Sequence, residues 1–355
     1  MNAVHELSTL EASPAFGDDV VLDVRNLSVT FNTAMGMLPA VRDVSFHIKH
    51  GETLALVGES GSGKSVTGLG IMRLTPAVPH CRIEGRVLLR DRSGTVIDLI
   101  TASEEQVRQL RGKAVAMVFQ EPMTSLNPVH KVGDQIAEAV RFHTQLGRRA
   151  ALGRAEELLA LVGIPDPKSR LGNYPHELSG GMRQRVMIAM ELSCEPVLLI
   201  ADEPTTALDV TIQAQILDLL HRLQQQTQMA VVFITHNLGV VAEIADRVLV
   251  MYSGRVVEQA EVNALFNRPL MPYTRGLLRS VPVLDLERLQ RRKFDAIAGN
   301  VPDPLMLPAG CSFGPRCSGF EAGACDANIP ALEEVESNHY VRCRRWAALI
   351  GDSKP

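Results

Sequence analysis

The chain has 355 residues, 46% of them apolar, enough to bury one large core and a smaller second one. Its 40 acidic residues outnumber 36 basic ones, and neither sign forms a long block, so a track for a phosphate backbone is excluded and nucleic acid is not an expected partner. Apolar runs such as 197–201 and 230–234 fall far short of the roughly 20 residues needed to cross a bilayer and read as buried strands.

The first nineteen residues contain Pro14, Gly17 and acidic side chains, with no basic start and no continuous apolar stretch. They are expected to be a flexible lead-in rather than a signal peptide, which leaves the chain in the cytosol. Residues 20–31 and 41–48 alternate imperfectly around Gly36 and Pro39, predicting antiparallel strands and the start of a small β-rich subdomain. Residues 53–57 run straight into Gly58-Glu-Ser-Gly-Ser-Gly-Lys-Ser65, and 66–73 follow as a predicted helix. Strand, loop, helix is the order that a phosphate-binding loop requires. Short strands are predicted at 85–89 and 96–99, and an apolar strand over 114–119 ends at Gln120. From 132 to about 163 the apolar spacing turns helical, broken at Gly147 and ended by Pro165, so a helical insertion lies between Gln120 and Leu178.

The second half alternates apolar strand and amphipathic helix at 197–201, 211–226, 230–235, 238–245 and 247–252. That alternation predicts a parallel sheet covered on both faces. Beyond Gln259 prolines recur, and four of the six cysteines fall between 311 and 343. The shift in composition marks a separate C-terminal appendage.

In the glycine-rich loop, Gly58, Gly61 and Gly63 let the backbone curl so that its N–H groups, with those of Glu59, Ser60 and Ser62, face a phosphate at a helix N-terminus. Lys64 then bridges the β- and γ-phosphates, and Ser65 ligates magnesium. Asp202 and Glu203 end a buried strand, where an open α/β sheet presents its ligand crevice. Asp202 suits magnesium, and Glu203 suits the orientation and partial deprotonation of an attacking water. In isolation such a pair reads as a solvated strand end; the loop upstream changes the reading.

Together these residues resemble the ATP-binding subunits of ABC transporters, over about 20–259. Leu178-Ser-Gly-Gly-Met-Arg-Gln-Arg185 looks like that family's signature, although Ser-Gly-Gly alone is more often a helix-opening turn. The resemblance implies a P-loop NTPase of ABC type, α/β, with a parallel-sheet core, an antiparallel β subdomain and a helical subdomain at about 125–190. It also implies ATP and Mg2+, and a head-to-tail dimer in which Ser179, Gly180 and Gly181 of one subunit close on the nucleotide of the other. Gln120 resembles the Q-loop residue that senses magnesium or the water, and His236 the switch histidine at the γ-phosphate. Alone, His236 would pass for a hydrogen-bonded strand end. Thr206-Ala-Leu-Asp209 resembles the D-loop, which puts Asp209 at the dimer interface; unaided, Asp209 reads as a helix cap. Phe31 is the candidate for stacking on adenine, with core packing as the alternative.

Gln120-Glu-Pro-Met-Thr-Ser-Leu-Asn-Pro128, Gly299-Asn-Val-Pro-Asp303 and Pro308-Ala-Gly-Cys-Ser-Phe-Gly-Pro-Arg-Cys317 resemble the branch that powers dipeptide and oligopeptide import. The sequence departs from that branch at Glu121, commonly Asp, and at Met271, commonly His. The expected division is a lead-in at 1–19, the ATP-binding domain at 20–260 and an oligopeptide-type C-terminal regulatory region at 261–355. The implied partners are a second ATPase subunit, a paralogue rather than an identical copy, two transmembrane permease subunits and an extracytoplasmic substrate-binding protein. The implied location is the cytoplasmic face of the inner membrane. Nickel or glutathione as cargo, and a soluble ABC ATPase acting on ribosomes or DNA, are the alternatives.

Cys311, Cys317, Cys325 and Cys343 sit in a chain expected to be cytosolic, where disulfides are disfavoured and four thiolates suggest a metal. Their spacing matches neither Cys-x2-Cys zinc ribbons nor the compact ferredoxin run, so spacing leaves iron–sulfur, zinc and free thiols open. In members of this branch with these four cysteines, the resemblance implies a [4Fe-4S] cluster.

Overall fold

A computed structural model of the chain describes residues 16–75, 81–120, 125–206, 208–280 and 297–351. Strands β1 (Val20–Thr33) and β2 (Gly36–Lys49) form a long antiparallel hairpin that turns at Gly36, whose φ of 125° is open to glycine. β3 (Thr53–Val57) is buried along its whole length and passes through the glycine-rich loop into the helix Lys64–Ile71. β4 (Cys81–Arg90) then pairs with the free edge of β1, and β5 (Val96–Asp98) with β4, completing a four-stranded antiparallel sheet. Of the expected lead-in, residues 1–15 lie outside the described residues. Phe16 is buried against Val20 and Leu88, with the Arg90 guanidinium 4.8 Å from its ring centre.

β6 (Val115–Val118) leads toward the helices Val132–His143, Arg148–Leu161 and Gly180–Glu191. Gly147, where the helical spacing breaks, is the N-cap residue of the second of these. β7 (Leu198–Asp202), the helix Val210–Thr227, β8 (Ala230–Thr235), the helix Leu238–Ile244 and β9 (Arg247–Tyr252) follow in the expected alternation. β3, β7 and β8 show no exposed position, because helices cover both faces, and that is why these strands are continuous apolar runs. The order β9-β3-β8-β7-β6 is parallel throughout, so the carboxyl ends of β3, β6, β7 and β8 share one edge.

Beyond β9 the sheet continues. β10 (Arg255–Glu261) folds back antiparallel through Ser253 and Gly254, both at positive φ, the backbone that a two-residue hairpin turn needs. β11 (Glu333–Glu336) and β12 (His339–Val341) add to its far edge, with Glu258 opposite Val341 and Gln259 opposite Tyr340. Phe313 and Val341 also share an apolar cluster with Ala55, Val57 and Val250. The compositional shift beyond Gln259 therefore falls inside the sheet and inside a core, not beside them.

Candidate active site

The phosphate-loop segment is held open by glycine geometry. Gly58 has φ 151°, and a Cβ there would lie 2.3 Å from the Met251 carbonyl oxygen; at Gly63, φ 100°, it would lie 2.5 Å from that of Ala40. Lys64, the first residue of the following helix, is buried, and its Nζ donates to the carbonyls of Gly58 (2.8 Å) and Glu59 (3.0 Å). Burial pushes the Lys64 ammonium below its ordinary value, with the carboxylates of Glu203, Asp202 and Glu59 opposing. The Ser65 hydroxyl donates to Asp202 Oδ1 at 2.9 Å, joining the loop to the end of β7. Burial raises the Asp202 carboxyl, partly offset by that hydrogen bond.

Glu203 lies one residue past β7 with φ 46°, a left-handed backbone that a non-glycine residue adopts only when its surroundings hold it there. Its N–H donates to the Ile234 carbonyl on β8 at 2.9 Å. Its carboxylate gathers three side chains: His236 Nδ1 at 3.0 Å on Oε1, and Gln120 Nε2 at 3.1 Å and Thr206 Oγ1 at 2.8 Å on Oε2. Burial works to raise this carboxyl, but the bonds from His236 and Thr206 outweigh it and hold Glu203 below the usual carboxylate range. The group is thus ionised at neutral pH and able to accept a proton. Gln120, Glu203 and His236 follow β6, β7 and β8, so the parallel register delivers them to one point. Thr206, which opens the segment resembling the D-loop, is a fourth member whose contact with Glu203 no motif pointed to.

The other expected residues lie on separate elements. Ser179 caps the helix Gly180–Glu191, its hydroxyl accepting from Met182 N–H at 3.4 Å, so Gly180 and Gly181 form the first helical turn. A Cβ on Gly181 would lie 2.7 Å from Ile212, in the helix that Asp209 caps by accepting from Ile212 N–H at 3.0 Å. Ala207 in the same segment, and Glu121 after Gln120, lie outside the described residues. Phe31 is half-buried and packs against the core beneath the antiparallel sheet.

The tail reaches the loop directly, which the motifs did not anticipate. Arg316 forms a two-pronged ion pair with the Glu59 carboxylate, at 2.6 and 3.0 Å, and the Tyr273 hydroxyl accepts from Glu59 N–H at 2.8 Å. Cys311, Cys317, Cys325 and Cys343 are free thiols. Burial pushes Cys343 up to about 11, and the other three cysteines add to the rise, so the four lie within electrostatic reach of one another. Among the described residues, however, no three His, Cys, Asp or Glu side chains are grouped to hold a metal ion, and the expected [4Fe-4S] cluster has no support from that arrangement. The four half-buried thiols come from separate turns and from the residues after β12, and burial raises those of Cys311, Cys317 and Cys343.

A glycine-rich loop between β3 and a helix N-terminus, joined to a carboxylate-bearing parallel strand end, defines a phosphate-loop nucleoside triphosphatase. Comparison with known proteins narrows the class. The ABC transporter family model matches residues 41–206, and that of the oligopeptide/dipeptide transporter C-terminal region matches 257–325. A putative peptide import ATP-binding protein of Brucella melitensis is 56% identical, covering 93% of this chain and 98% of its own length. The oligopeptide transport ATP-binding protein AppD of Bacillus subtilis is 51% identical over 91% of this chain and 96% of its own length. Among solved structures, the dimeric ATP-binding cassette MJ0796 in a post-hydrolysis state bound to ADP and Pi superposes with a TM-score of 0.59, at 26% identity over 68% of this chain and 98% of that one. The chain belongs to the ABC transporter family, as an ATP-binding subunit whose ATP hydrolysis is coupled to transport. Among the described residues no helix is long and apolar enough to cross a membrane.

Proposed function

We propose that this subunit energises import of dipeptides or oligopeptides, with Glu203 as the general base of ATP hydrolysis. The observation that carries the catalytic part is the Glu203 carboxylate, ionised and held by Gln120, Thr206 and His236 beside the Ser65–Asp202 pair. In this reading residues 58–65 cradle the triphosphate, with Lys64 turning from the Gly58 and Glu59 carbonyls to the β- and γ-phosphates. Ser65 and Gln120 ligate Mg2+, Asp202 orients the metal's water, His236 contacts the γ-phosphate, and half-exposed Phe31 offers a ring to adenine. Ser179, Gly180, Gly181 and Asp209 serve the second subunit's nucleotide from two helix N-termini.

The cargo rests on the relatives, which are named for peptide, oligopeptide and dipeptide transport, and on the matching C-terminal region. The complex then comprises a paralogous ATPase subunit, two permease subunits and an extracytoplasmic binding protein, with this chain peripheral on the cytoplasmic face of the inner membrane. Glu203→Gln is expected to lower ATP turnover by about 10²–10⁴-fold with MgATP binding retained. Turnover within tenfold of the wild type rejects Glu203 as the base. Purification of the native complex and identification of the ligand on its binding protein tests the cargo, and nickel or glutathione in place of peptide overturns it.

For the tail, the finer reading is a metal site on the four cysteines, [4Fe-4S] by resemblance. Supporting it are the backbone N–H groups of Phe313, Gly314, Gly319 and Arg345 directed at three of the sulfurs. Protein purified anaerobically should then carry iron and sulfide and show broad visible absorbance; stoichiometric zinc or metal-free thiols reject the cluster.

A further inference from the structure

Arg316 is the best-held cation in the tail. Its side chain is 4% exposed, with Nε donating to the Ala298 carbonyl at 3.1 Å and Nη2 to that of Ile297 at 3.3 Å. The guanidinium lies 5.9 Å from the ring centres of both Tyr252 and Phe313, Nη1 also donates to the Tyr252 hydroxyl at 3.4 Å, and Nη1 and Nη2 together close on Glu59. Two-pronged geometry fixes the carboxylate in direction as well as distance, which a lysine in that place would not do.

Glu59 is a residue of the phosphate loop itself. Its carbonyl accepts from Lys64 Nζ and from Ser62 N–H, and its own N–H is engaged by Tyr273, whose ring packs against Tyr252 and Phe313. With the Glu59 and Ser62 N–H groups engaged elsewhere, the loop amides left to face an anion repel one another when none is bound, because their dipoles are aligned. Holding the Glu59 side chain and backbone from outside relieves that penalty before nucleotide arrives, so less of the binding free energy goes to ordering the loop.

We propose that Arg316 is a positioning residue for nucleotide binding, acting through Glu59 to hold the phosphate loop in its anion-accepting form. This makes Tyr273 and the turn carrying Phe313 and Arg316 part of the nucleotide site rather than an accessory to it. The proposal rests on the reading of residues 58–65 as the triphosphate cradle.

The sign of one substitution separates this clamp from simple electrostatics. Removing a carboxylate beside a triphosphate should tighten binding if charge alone matters. If the clamp matters, Glu59→Gln weakens MgATP binding by about fivefold, a loss the size of one ordinary hydrogen bond. Arg316→Gln should do the same, and the double variant should be no worse than either single one. In each case KM for ATP rises while kcat at saturation stays within about twofold. The measurement uses the full chain and titration with MgATP, with thermal melting to confirm that each variant is folded.

Unchanged or tighter binding by Glu59→Gln overturns the clamp, as do losses that add in the double variant. Should Arg316→Gln fail to fold, Arg316→Lys keeps the charge, loses the fork, and is expected to show the same rise in KM. Lys64→Ala is the control: if it leaves MgATP binding intact the cradle reading fails, whereas a normal loss there with unaltered Glu59→Gln affinity rejects the clamp alone.

Discussion

At the carboxyl ends of β6, β7 and β8, each reactive side chain follows directly on a buried parallel strand, and the strand pairing alone brings Gln120, Glu203 and His236 together. In residues 297–351 the elements are short, and buried side chains add to a brief β10–β12 pairing in holding them to the sheet. Glu258 on β10 is fully buried; it accepts from Leu270 N–H at 2.6 Å and Met271 N–H at 3.1 Å and meets His339 of β12 at 2.8 Å. Backbone register therefore builds the hydrolytic site, whereas the tail adds a few buried polar contacts to a short strand pairing and an apolar cluster. The first is insensitive to any one side chain, whereas the second depends on each.

The largest expected effect tests that contrast. Glu258→Ala leaves His339 and two amides without a partner in a site shut off from water, and should lower stability by about 3–5 kcal/mol in urea unfolding. Hydrogen exchange should speed up in β11, β12 and the start of the helix Pro272–Arg279, while β3, β7 and β8 stay protected. Uniform acceleration across the sheet would show that tail and core unfold as one unit, and the contrast would fail.

A smaller effect belongs to the strand-end region. Glu191, at the end of the helix Gly180–Glu191, accepts from Met117 N–H on β6 at 3.3 Å, and burial pushes its carboxyl up to about 7, with that bond opposing. A raised carboxyl favours the protonated fold, so its contribution is complete below the unfolded value of 4.5 and is lost as pH rises through about 7. Stability should fall by up to about 2 kcal/mol between pH 5 and pH 8 from this group, and Glu191→Gln should flatten that slope. An unchanged slope in the variant would place the titration elsewhere.

The smallest effect sharpens the catalytic geometry. Thr206→Val removes the 2.8 Å bond to Glu203 and should lower kcat about fivefold with KM for ATP unchanged. Because that bond helps hold the Glu203 carboxyl low, the acidic limb of the kcat profile should also move to higher pH. A change confined to KM would assign Thr206 to binding instead.

Contiguous patterns in the sequence determined a good deal. The glycine loop between an apolar strand and a helix, the Asp202-Glu203 strand end and the strand–helix alternation of the second half are local or periodic, and local geometry follows from them. Ser179 and Asp209 were legible as helix caps for the same reason. His236 and Gln120 were recognisable by motif, but their convergence on one carboxylate required the strand order β8-β7-β6. Thr206 was legible only as the first residue of the D-loop resemblance, with nothing to tie it to Glu203, and the Glu258–His339 pair left no signal, because a lone glutamate within a strand is commonplace. Only the folded chain decided that the tail joins the main sheet and that Arg316 meets Glu59, 257 residues away in sequence. Charge pairs at such separation have no periodicity and no composition of their own; this one exists once the turn at Phe313–Arg316 lies beside the phosphate loop.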